Sequence, residues 1–395
     1  RYNSDLGFGL LCVADEDYNY GVVDLEGNIV VPFDEYEYFT EFDINGYARV
    51  EKDGLYGLID LNGACVVPCE YDEIERLAFA GDYVYGLGGD ALNPHAAQRI
   101  FEAKGRPADN PLIVHISALE QLRALIADEL PGAAQLLAQA FWPGPMTLIL
   151  PRAPIIPDSV SAGLDTVGIR MPSHPVARAL IAATGRPIAA PSANRSGRPS
   201  PTCAQDVLED MDGRIPLIID GGECEIGLES TVIALEHGVP RILRPGAITP
   251  EMIRDVLGEV EVDHTALSPL REGETARSPG MKYRHYAPRG KLILIDGEPL
   301  AVLGAMRERY AAETARGHRV ALLLPDSLAQ GFDGLRVYRL GDTPQQASHR
   351  IFAALRQLDR DGVEIAFCQT FDTAGIGLAL MNRLDRAAGF AIEHV

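Results

Sequence analysis

At 395 residues the chain is long enough to form two or three domains, each with a hydrophobic core of its own. Apolar residues make up 47% of it, yet no apolar run reaches the roughly 18 residues of a membrane-spanning helix, so we expect no membrane partner. The net charge of −21 is uneven, because residues 1–82 carry 19 acidic and 4 basic side chains, or about −15. We therefore expect no stable nucleic-acid binding there, whereas the nearly balanced remainder suits small anionic ligands.

The six cysteines are scattered and include no Cys-x-x-Cys pair, which is typical of a cytoplasmic protein with free thiols. Cys65 and Cys69 lie four residues apart, but no histidine or further cysteine is spaced to complete a zinc site. The sequence therefore predicts a cytoplasmic location and no metal ligands among its side chains.

An internal repeat occupies the N-terminal segment. Residues Tyr20–Pro32 recur as Tyr56–Pro68, with Tyr-Gly, Asp-Leu and Val-Val-Pro at matching positions. Each copy predicts a strand, a turn containing glycine and a second strand. The pattern resembles the WG-repeat family, with tyrosine in place of the usual tryptophan. We interpret residues 1–80 as an all-β segment of such hairpins, which serve for contact or spacing.

From Ala91 onwards the sequence predicts alternating helices and strands. Asn93 and Pro94 are typical of the start of a helix, and Trp142–Pro145 reads as a turn before a strand. Apolar runs and amphipathic periods give the other elements. The predicted strands are Leu112–Ile116, Met146–Leu150, Thr166–Pro172 and Leu217–Asp220, and the predicted helices are Pro94–Ala103, Leu119–Leu130, Ala133–Phe141, Pro175–Ala183 and 250–257.

The segment Pro187–Thr202 carries the clearest candidate for a ligand site. It begins as a short apolar strand, is broken by a proline and continues with hydroxyl, amide and guanidinium side chains. In an extended chain Ser192 and Asn194 point the same way, because side chains alternate across a strand. With Arg195 and Arg198 nearby, these groups suit an anion that bears several oxygens, such as phosphate. The alternative is a surface turn, although ligands of α/β proteins gather where strands end.

Residues 263–290 have no apolar period and predict a linker, which ends in the basic and aromatic run Tyr283–Pro288. A second α/β domain is predicted over residues 291–395, and it has no Gly-x-Gly-x-x-Gly after its first strand, so no dinucleotide site is expected. Its order of elements implies a parallel sheet with crossover helices. The predicted strands are Lys291–Ile295, Val320–Leu324 and Glu364–Gln369, and the helices lie near 300–315 and 344–360.

Short motifs along the chain resemble one enzyme family. They are Tyr85–Gly88, Lys104–Pro107, Asn110–Leu112, Trp142–Thr147, Arg170–Pro172, Pro191–Asn194, Glu229–Thr231, Arg244–Gly246, Tyr283–Pro288 and Met381–Leu384. Residues 85–262 are similar to the YrdC-like threonylcarbamoyl-AMP synthases, and residues 278–395 resemble the accessory domain of their two-domain form. The resemblance implies an α/β fold with a twisted mixed sheet over 81–262, a linker over 263–290 and a smaller parallel α/β domain over 291–395.

The resemblance also implies a function. The family joins L-threonine, bicarbonate (as CO2) and ATP into threonylcarbamoyl-AMP and pyrophosphate, and a partner transferase then moves the threonylcarbamoyl group onto tRNA. We expect Mg²⁺ to accompany ATP, although no carboxylate stands out as its ligand. Because charge develops on phosphoryl oxygens, catalysis would depend on positioning and electrostatics, with Lys104 and Arg106 as a phosphate clamp.

The resemblance places three groups of contacts. ATP contacts fall on Lys104, Arg106, Asn110, Thr166, Ser192, Asn194, Ser200 and Arg244. L-threonine contacts fall on His115, Arg170, the Ala190 backbone and Ser230. A lid that excludes water would be formed by Tyr283, His285 and Tyr286.

Each of these residues also has a purely structural interpretation. Lys104 and Arg106 could simply be solvated basic residues at the C-terminal end of a helix, where the helix dipole favours positive charge. His115 lies on an apolar strand and could be a core histidine, while Ser200 could only cap the next helix. Surface ion pairs are the alternative for the arginines of the Arg-Met-Pro and Arg-Pro-Gly motifs. The aromatic linker could be a plain docking surface between domains.

The sequence departs from the family at one place. A Pro-Thr-Glu-Thr motif is expected before Val84, where this chain has Ala80, Gly81, Asp82 and Tyr83, and the repeats stand where a core helix and strand are expected. Loss of that strand would expose an unpaired sheet edge, and Tyr83 would replace a threonine that helps to hold the substrate. Two alternatives therefore stay open: a catalytically impaired nucleotide-binding scaffold or interaction protein, and a different carbamoyl-adenylate enzyme.

Overall fold

The computed structural model describes residues 2–42, 46–71, 77–82, 84–224, 226–236, 238–268, 277–279 and 285–395 of the chain. Tyr83 and Tyr283 lie outside the described residues. Within these ranges no helix is both long enough and apolar enough to cross a membrane.

The N-terminal residues form two antiparallel sheets, which confirms the predicted all-β segment. The two repeats make the same turn: Asp24 Oδ1 accepts the amide of Asn28 at 2.7 Å, and Asp60 Oδ1 accepts the amide of Ala64 at 2.9 Å. Glycine at φ near +80° closes each turn, a conformation that side chains resist. The first sheet contains β1 (Tyr2–Gly7), β2 (Leu10–Ala14), β3 (Tyr20–Asp24) and β4 (Ile29–Val31), and the second contains β5 (Tyr38–Phe39), β6 (Tyr47–Lys52), β7 (Leu55–Asp60) and β8 (Cys65–Tyr71).

The middle of the chain forms a ten-stranded mixed sheet covered by helices, as predicted. Its elements are β9 (Leu77–Phe79), β10 (Gly86–Asp90), α1 (Pro94–Lys104), β11 (Ile113–His115), α2 (Leu119–Leu125), α3 (Gly132–Phe141), β12 (Met146–Pro151), α4 (Asp158–Ser161), β13 (Thr166–Arg170), α5 (Pro175–Thr184), β14 (Ile188–Ala189), α6 (Ala204–Met211), β15 (Leu217–Ile219), β16 (Thr231–Glu236), β17 (Val239–Arg244), α7 (Pro250–Leu257) and β18 (Glu261–Val262). The strand order is β15-β9-β10-β14-β11-β13-β12-β16-β17-β18. A continuous apolar core between this sheet and its helices holds the strand ends in place.

The helix predicted over Leu119–Leu130 is shorter in the structure and ends at Leu125. Ile126 takes up extended backbone angles and forms an isolated antiparallel bridge with Arg152. Pairing with the neighbouring strand therefore outweighs the helical period of the sequence here, which is a common outcome when tertiary contacts compete with local propensity.

Strand β9 lies upstream of the predicted boundary between residues 80 and 81. It pairs antiparallel with β10 and parallel with β15, so residues 77–79 belong to the large sheet rather than to the repeats. The edge next to β10, which the sequence suggested would be open, is thereby covered. The repeats instead pack beside α5, where Arg49 Nη1 donates to the Thr184 carbonyl at 3.4 Å.

The C-terminal residues form the predicted parallel sheet, in the order β21-β20-β22-β19-β23. Its longest helices bury apolar faces against it, and α10 begins with a reciprocal cap between Thr343 and Gln346. The elements are β19 (Lys291–Asp296), α8 (Pro299–Ala315), β20 (Val320–Leu324), α9 (Asp326–Ala329), β21 (Val337–Arg339), α10 (Pro344–Arg360), β22 (Ile365–Gln369), α11 (Gly377–Ala388) and β23 (Ile392–His394).

Candidate active site

The polar loop that follows β14 wraps around the end of α1. Lys104 is buried there, and its Nζ donates to the backbone carbonyls of Ser192 and, at 2.7 Å, of Asn194. The Ser196 amide donates back to the Lys104 carbonyl at 2.9 Å. Ser192 Oγ donates to Asn194 Oδ1, so the two side chains share one side of the chain as predicted. Burial, followed by the charge of Arg106, lowers the pKa of Lys104 well below its ordinary value.

Arg106 lies just beyond the glycine that ends α1. Its Nη2 donates to the Asn110 carbonyl at 2.7 Å, and its guanidinium lies 5.3 Å from the Phe101 ring centroid. The Asn110 side chain is fully buried, and neither its oxygen nor its nitrogen has a hydrogen-bond partner among the described residues. A buried amide without partners is costly, and the described contact of this residue with Arg106 is made by its backbone carbonyl.

Arg170, at the end of β13, is held by an acidic group that sequence reasoning did not assign. Its guanidinium forms a buried ion pair with Asp82, and its Nε donates to the Gly144 carbonyl at 3.2 Å. Asp82 also accepts the Ser173 hydroxyl at 2.6 Å and the Ser173 amide at 3.0 Å. Although burial raises the pKa of Asp82, the Arg170 charge and the Ser173 bonds lower it overall, so the carboxylate is ionised. The planar fork of Arg170 is thus fixed from one side.

His115 ends β11 beside Arg170 and is buried. Its Nδ1 has no hydrogen-bond partner within the described part of the chain. Burial, and secondarily the positive charge of Arg170, lowers the pKa of His115 to about 3, so the imidazole is neutral near pH 7. A neutral imidazole next to a fixed guanidinium can donate or accept a hydrogen bond with a polar ligand without adding charge to the site.

Ser230 and Arg244 meet on the other side of the site. Arg244 Nη2 donates to the carbonyl and the hydroxyl of Ser230, each at 3.0 Å, and Ser230 Oγ lies 2.8 Å from Thr147 Oγ1. Burial lowers the pKa of Arg244 from its ordinary value. These contacts position a hydroxyl and a guanidinium as one unit.

A buried carboxylate, Glu229, connects this side of the site to the C-terminal domain. Its Oε1 accepts the Ser200 hydroxyl at 2.6 Å and its Oε2 accepts Arg383 Nε at 2.8 Å. Arg383 is fully buried on α11 and also donates to the Pro245 carbonyl at 3.0 Å. The C-terminal domain therefore supplies the counter-charge of a residue next to Ser230.

One cavity gathers most of the predicted residues. The space between its walls, counted together with the open mouth, is about 900 Å³. Glu229, with its bound arginine behind it, also lines the wall. The predicted residues at the cavity are Lys104, Arg106, His115, Arg170, Ala190, Ser192, Asn194, Ser230, Arg244, His285 and Tyr286.

Three predicted ATP contacts do not line this cavity. Asn110 lies behind Arg106, and Ser200 lies behind Glu229 through its hydroxyl. Thr166 begins β13, whereas Arg170 ends it, so at about 3.3 Å per residue the two are roughly 13 Å apart along the strand. As a contact of the cavity itself, Thr166 is not supported by this arrangement.

The described part of the predicted lid lies between the two domains. Tyr286 is buried, its ring centroid is 5.2 Å from that of Phe352 on α10, and the Arg383 guanidinium lies 5.6 Å from its ring centroid. Burial, followed by the charge of Arg106, lowers the pKa of His285 to about 3, so this side chain is neutral as well. Tyr283, the third lid residue, lies outside the described residues.

Sequence reasoning missed Asp82, Glu229 and Arg383 as parts of the site. Glu229 and Arg383 do belong to motifs that carried the family resemblance, which was the available signal. Asp82 gave none, because it lies at the place where the family pattern is broken. Among the described residues, no group of three or more His, Cys, Asp or Glu side chains could hold a metal ion.

The fold and the cavity define the class of this protein. Buried arginines, a lysine and hydroxyl groups converge where the strands of a mixed α/β sheet end, as in an enzyme that binds an anionic substrate such as a nucleotide. Residues 75–246 match the family model described as telomere recombination, and residues 248–389 match the C-terminal domain of threonylcarbamoyl-AMP synthase. Residues 20–56 and 56–83 match WG-containing repeats.

Proteins that are similar to this chain over most of its length bear the name of the same family. The threonylcarbamoyl-AMP synthase of Pyrococcus abyssi is 48% identical over 81% of this chain and 92% of its own length, and that of Bacillus subtilis is 46% identical over 80% and 90%. A solved structure of P. abyssi Sua5 complexed with L-threonine has a TM-score of 0.77 and 46% identity, over 81% of this chain and 92% of that one. The chain belongs to the threonylcarbamoyl-AMP synthase family, nucleotidyltransferase-type enzymes, and carries WG repeats in addition. The family resemblance predicted from the sequence is confirmed.

Proposed function

We propose that this protein makes threonylcarbamoyl-AMP and pyrophosphate from L-threonine, bicarbonate and ATP. The observation that carries the proposal is the single cavity that joins the predicted phosphate-binding residues to the predicted threonine-binding residues. Two reactants held in one enclosed space react as if in one molecule, which can lower the barrier greatly.

The nucleotide half would lie against the loop after β14. Ser192 and Asn194 offer hydroxyl and amide groups, and the buried basic side chains Lys104, Arg106 and Arg244 line the same cavity. Concentrated positive charge in a low-dielectric site stabilises the charge that develops on phosphoryl oxygens. Mg²⁺ would enter with the phosphates of ATP rather than occupy a site made by the protein.

The threonine half would lie at the ends of β11 and β13. Arg170 is a planar fork that suits a carboxylate, and its position is fixed by Asp82. His115 and Ser230 supply neutral polar groups within the same cavity. The P. abyssi relative, 46% identical, has been solved with L-threonine bound, which supports the same ligand here.

The chemistry would proceed in two steps. Bicarbonate loses hydroxide to give CO2, the neutral amine of L-threonine forms a bond to its carbon and loses a proton, and the hydroxide and proton leave as water, so that a carbamate results. A carbamate oxygen then forms a bond to the α-phosphorus of ATP as the bond to pyrophosphate breaks and pyrophosphate leaves. The side chains serve to align the two substrates and to stabilise charge, while Tyr286 and His285 would close the cavity against water.

We propose that the product is passed to a transferase that places the threonylcarbamoyl group on tRNA. A reducing compartment such as the cytoplasm would suit the chain, because all six cysteines are free in the structure. The outer surface of the acidic repeats is unsuited to holding the tRNA itself.

The test is pyrophosphate release by the full chain, measured with and without L-threonine and bicarbonate. We expect release that needs both, and a fall of about 100-fold or more in R106A, because a phosphate-binding cation is lost. The exposed Arg123 on α2 gives a matched control, and R123A should behave like the original protein. ATP binding without threonine-dependent release would contradict the proposal and favour a nucleotide-binding scaffold.

A further inference from the structure

The loop that carries Ser192 and Asn194 is held from behind by one buried carboxylate, Asp210 on α6. Asp210 forms an ion pair with Arg198, and its Oδ2 accepts the Arg195 amide at 3.3 Å. Its side chain is fully buried. The loop therefore packs against α6 through Asp210, which does not line the cavity.

The Asp210 carboxylate also forms an ion pair with a residue of the C-terminal domain. Arg356 on α10 is 2% exposed, and its Nη2 donates to Asp210 Oδ2 at 2.8 Å. The same nitrogen donates to the carbonyl of Pro199, within the loop, at 2.7 Å. Arg356 Nη1 reaches the Asp206 carbonyl at 3.4 Å. One guanidinium thus joins the loop backbone, α6 and the C-terminal domain.

Two basic side chains from outside the loop donate to its backbone carbonyls. Lys104 binds the carbonyls of Ser192 and Asn194, and Arg356 binds that of Pro199. Between them Gly197 has φ of +86°, and Asn194 Nδ2 donates to the carbonyls of Arg195 and Arg198 on either side of it. Removal of the Arg356 contacts would loosen the loop around Pro199, and small shifts of a binding loop weaken contacts that depend on geometry.

We propose that Arg356 is a positioning residue through which the C-terminal domain sets the geometry of the nucleotide-binding loop. Arg356 does not line the cavity and would act on the loop through Pro199 and Asp210. This role rests on the proposed function of the cavity as a site for ATP. With this role, the C-terminal domain would contribute to the reaction by fixing the loop that binds ATP.

Arg360 supplies a matched control on the same helix. It lies one turn further along α10 and pairs with Asp206 and with Glu209, the latter at 2.8 Å from its Nε. Neither partner belongs to the loop of residues 191–202. Replacing Arg360 therefore removes ion pairs between the domains and leaves the contacts of Arg356 with Pro199 and Asp210 in place.

The experiment compares R356M with R360M in the full chain. We expect the KM for ATP in R356M to rise about tenfold, with a smaller change in kcat, and R360M to stay within about twofold of the original protein. Without substrates, amide exchange of residues 193–200 should become faster in R356M only, because local opening becomes easier. R356K keeps the charge but loses the fork, so an intermediate KM is expected.

Equal effects of R356M and R360M would mean that Arg356 only docks the domains, and would overturn the proposal. Unchanged exchange of residues 193–200 would overturn it as well. If R356M does not fold, R356K decides, since wild-type KM and exchange there would contradict the positioning role. If the original protein releases no pyrophosphate in a threonine-dependent way, the proposed function fails, while the exchange measurement still tests the Arg356 contacts.

Discussion

Replacing Arg383 with methionine tests how the C-terminal domain stabilises the site. Arg383 is 0% exposed and is the largest fully buried side chain among the described residues. Its loss leaves the Glu229 carboxylate buried with the Ser200 hydroxyl as its remaining close partner in the described structure. Methionine fills much of the same volume, so the main change is the unpaired charge rather than a cavity.

The expected loss can be estimated from this geometry. Breaking a buried ion pair by removing one partner costs about 3–5 kcal/mol, and the bonds to the Glu229 and Pro245 carbonyls are part of that loss. In R383M/E229Q neither charge of the pair is left, and the stability should recover by about 2 kcal/mol or more relative to R383M. Such coupling is large compared with that of an exposed pair, at about 0–1 kcal/mol.

The measurement is urea unfolding of the original protein, R383M, E229Q and R383M/E229Q, analysed as a double-mutant cycle. A loss below about 1 kcal/mol in R383M, or a double variant no more stable than R383M, would refute the reasoning. The pH dependence gives a second check. Burial raises the pKa of Glu229, but the charges of Arg383 and Arg244 lower it overall below the ordinary 4.5. The pair's contribution is thus complete above pH 4.5 and is lost as pH falls below it, so R383M should differ least from the original protein in acid.

Two further predictions concern the threonine half of the site and the lid. D82N should raise the KM for L-threonine by about tenfold, because Arg170 loses the carboxylate charge that fixes its guanidinium. The KM for ATP should change little. Equal changes in the two KM values would instead show a general loss of structure. The histidines His115 and His285 have a folded pKa of about 3 against about 6.5 unfolded, so the unfolded state binds more protons below pH 6.5 and stability must fall as pH decreases. Replacing both with asparagine should flatten that decrease by about 1.6 kcal/mol per histidine between pH 6.5 and 5, and an unchanged slope in urea unfolding would show that neither is held neutral.

Much of the fold could be predicted because its signals are local. Glycine and aspartate specify the turns of both repeats, and residues 344–360 form a helix with the predicted bounds because Thr343 and Gln346 cap its start. The parallel C-terminal sheet followed from the alternation of strands and helices. The family motifs likewise contain most of the residues that line the cavity.

The sequence by itself determined the turns, most of the helices and strands, and the family, because each depends on residues close together in the chain. Only the tertiary structure decided the charge pairs: Arg170 with Asp82, 88 residues away, and Arg383 with Glu229, 154 residues away. It likewise placed Arg356 on a carbonyl of the nucleotide-binding loop, 157 residues away. The physical reason is that a buried charge needs a partner close to it in the folded core, and that partner can lie at any distance along the chain. Sequence spacing therefore does not identify it.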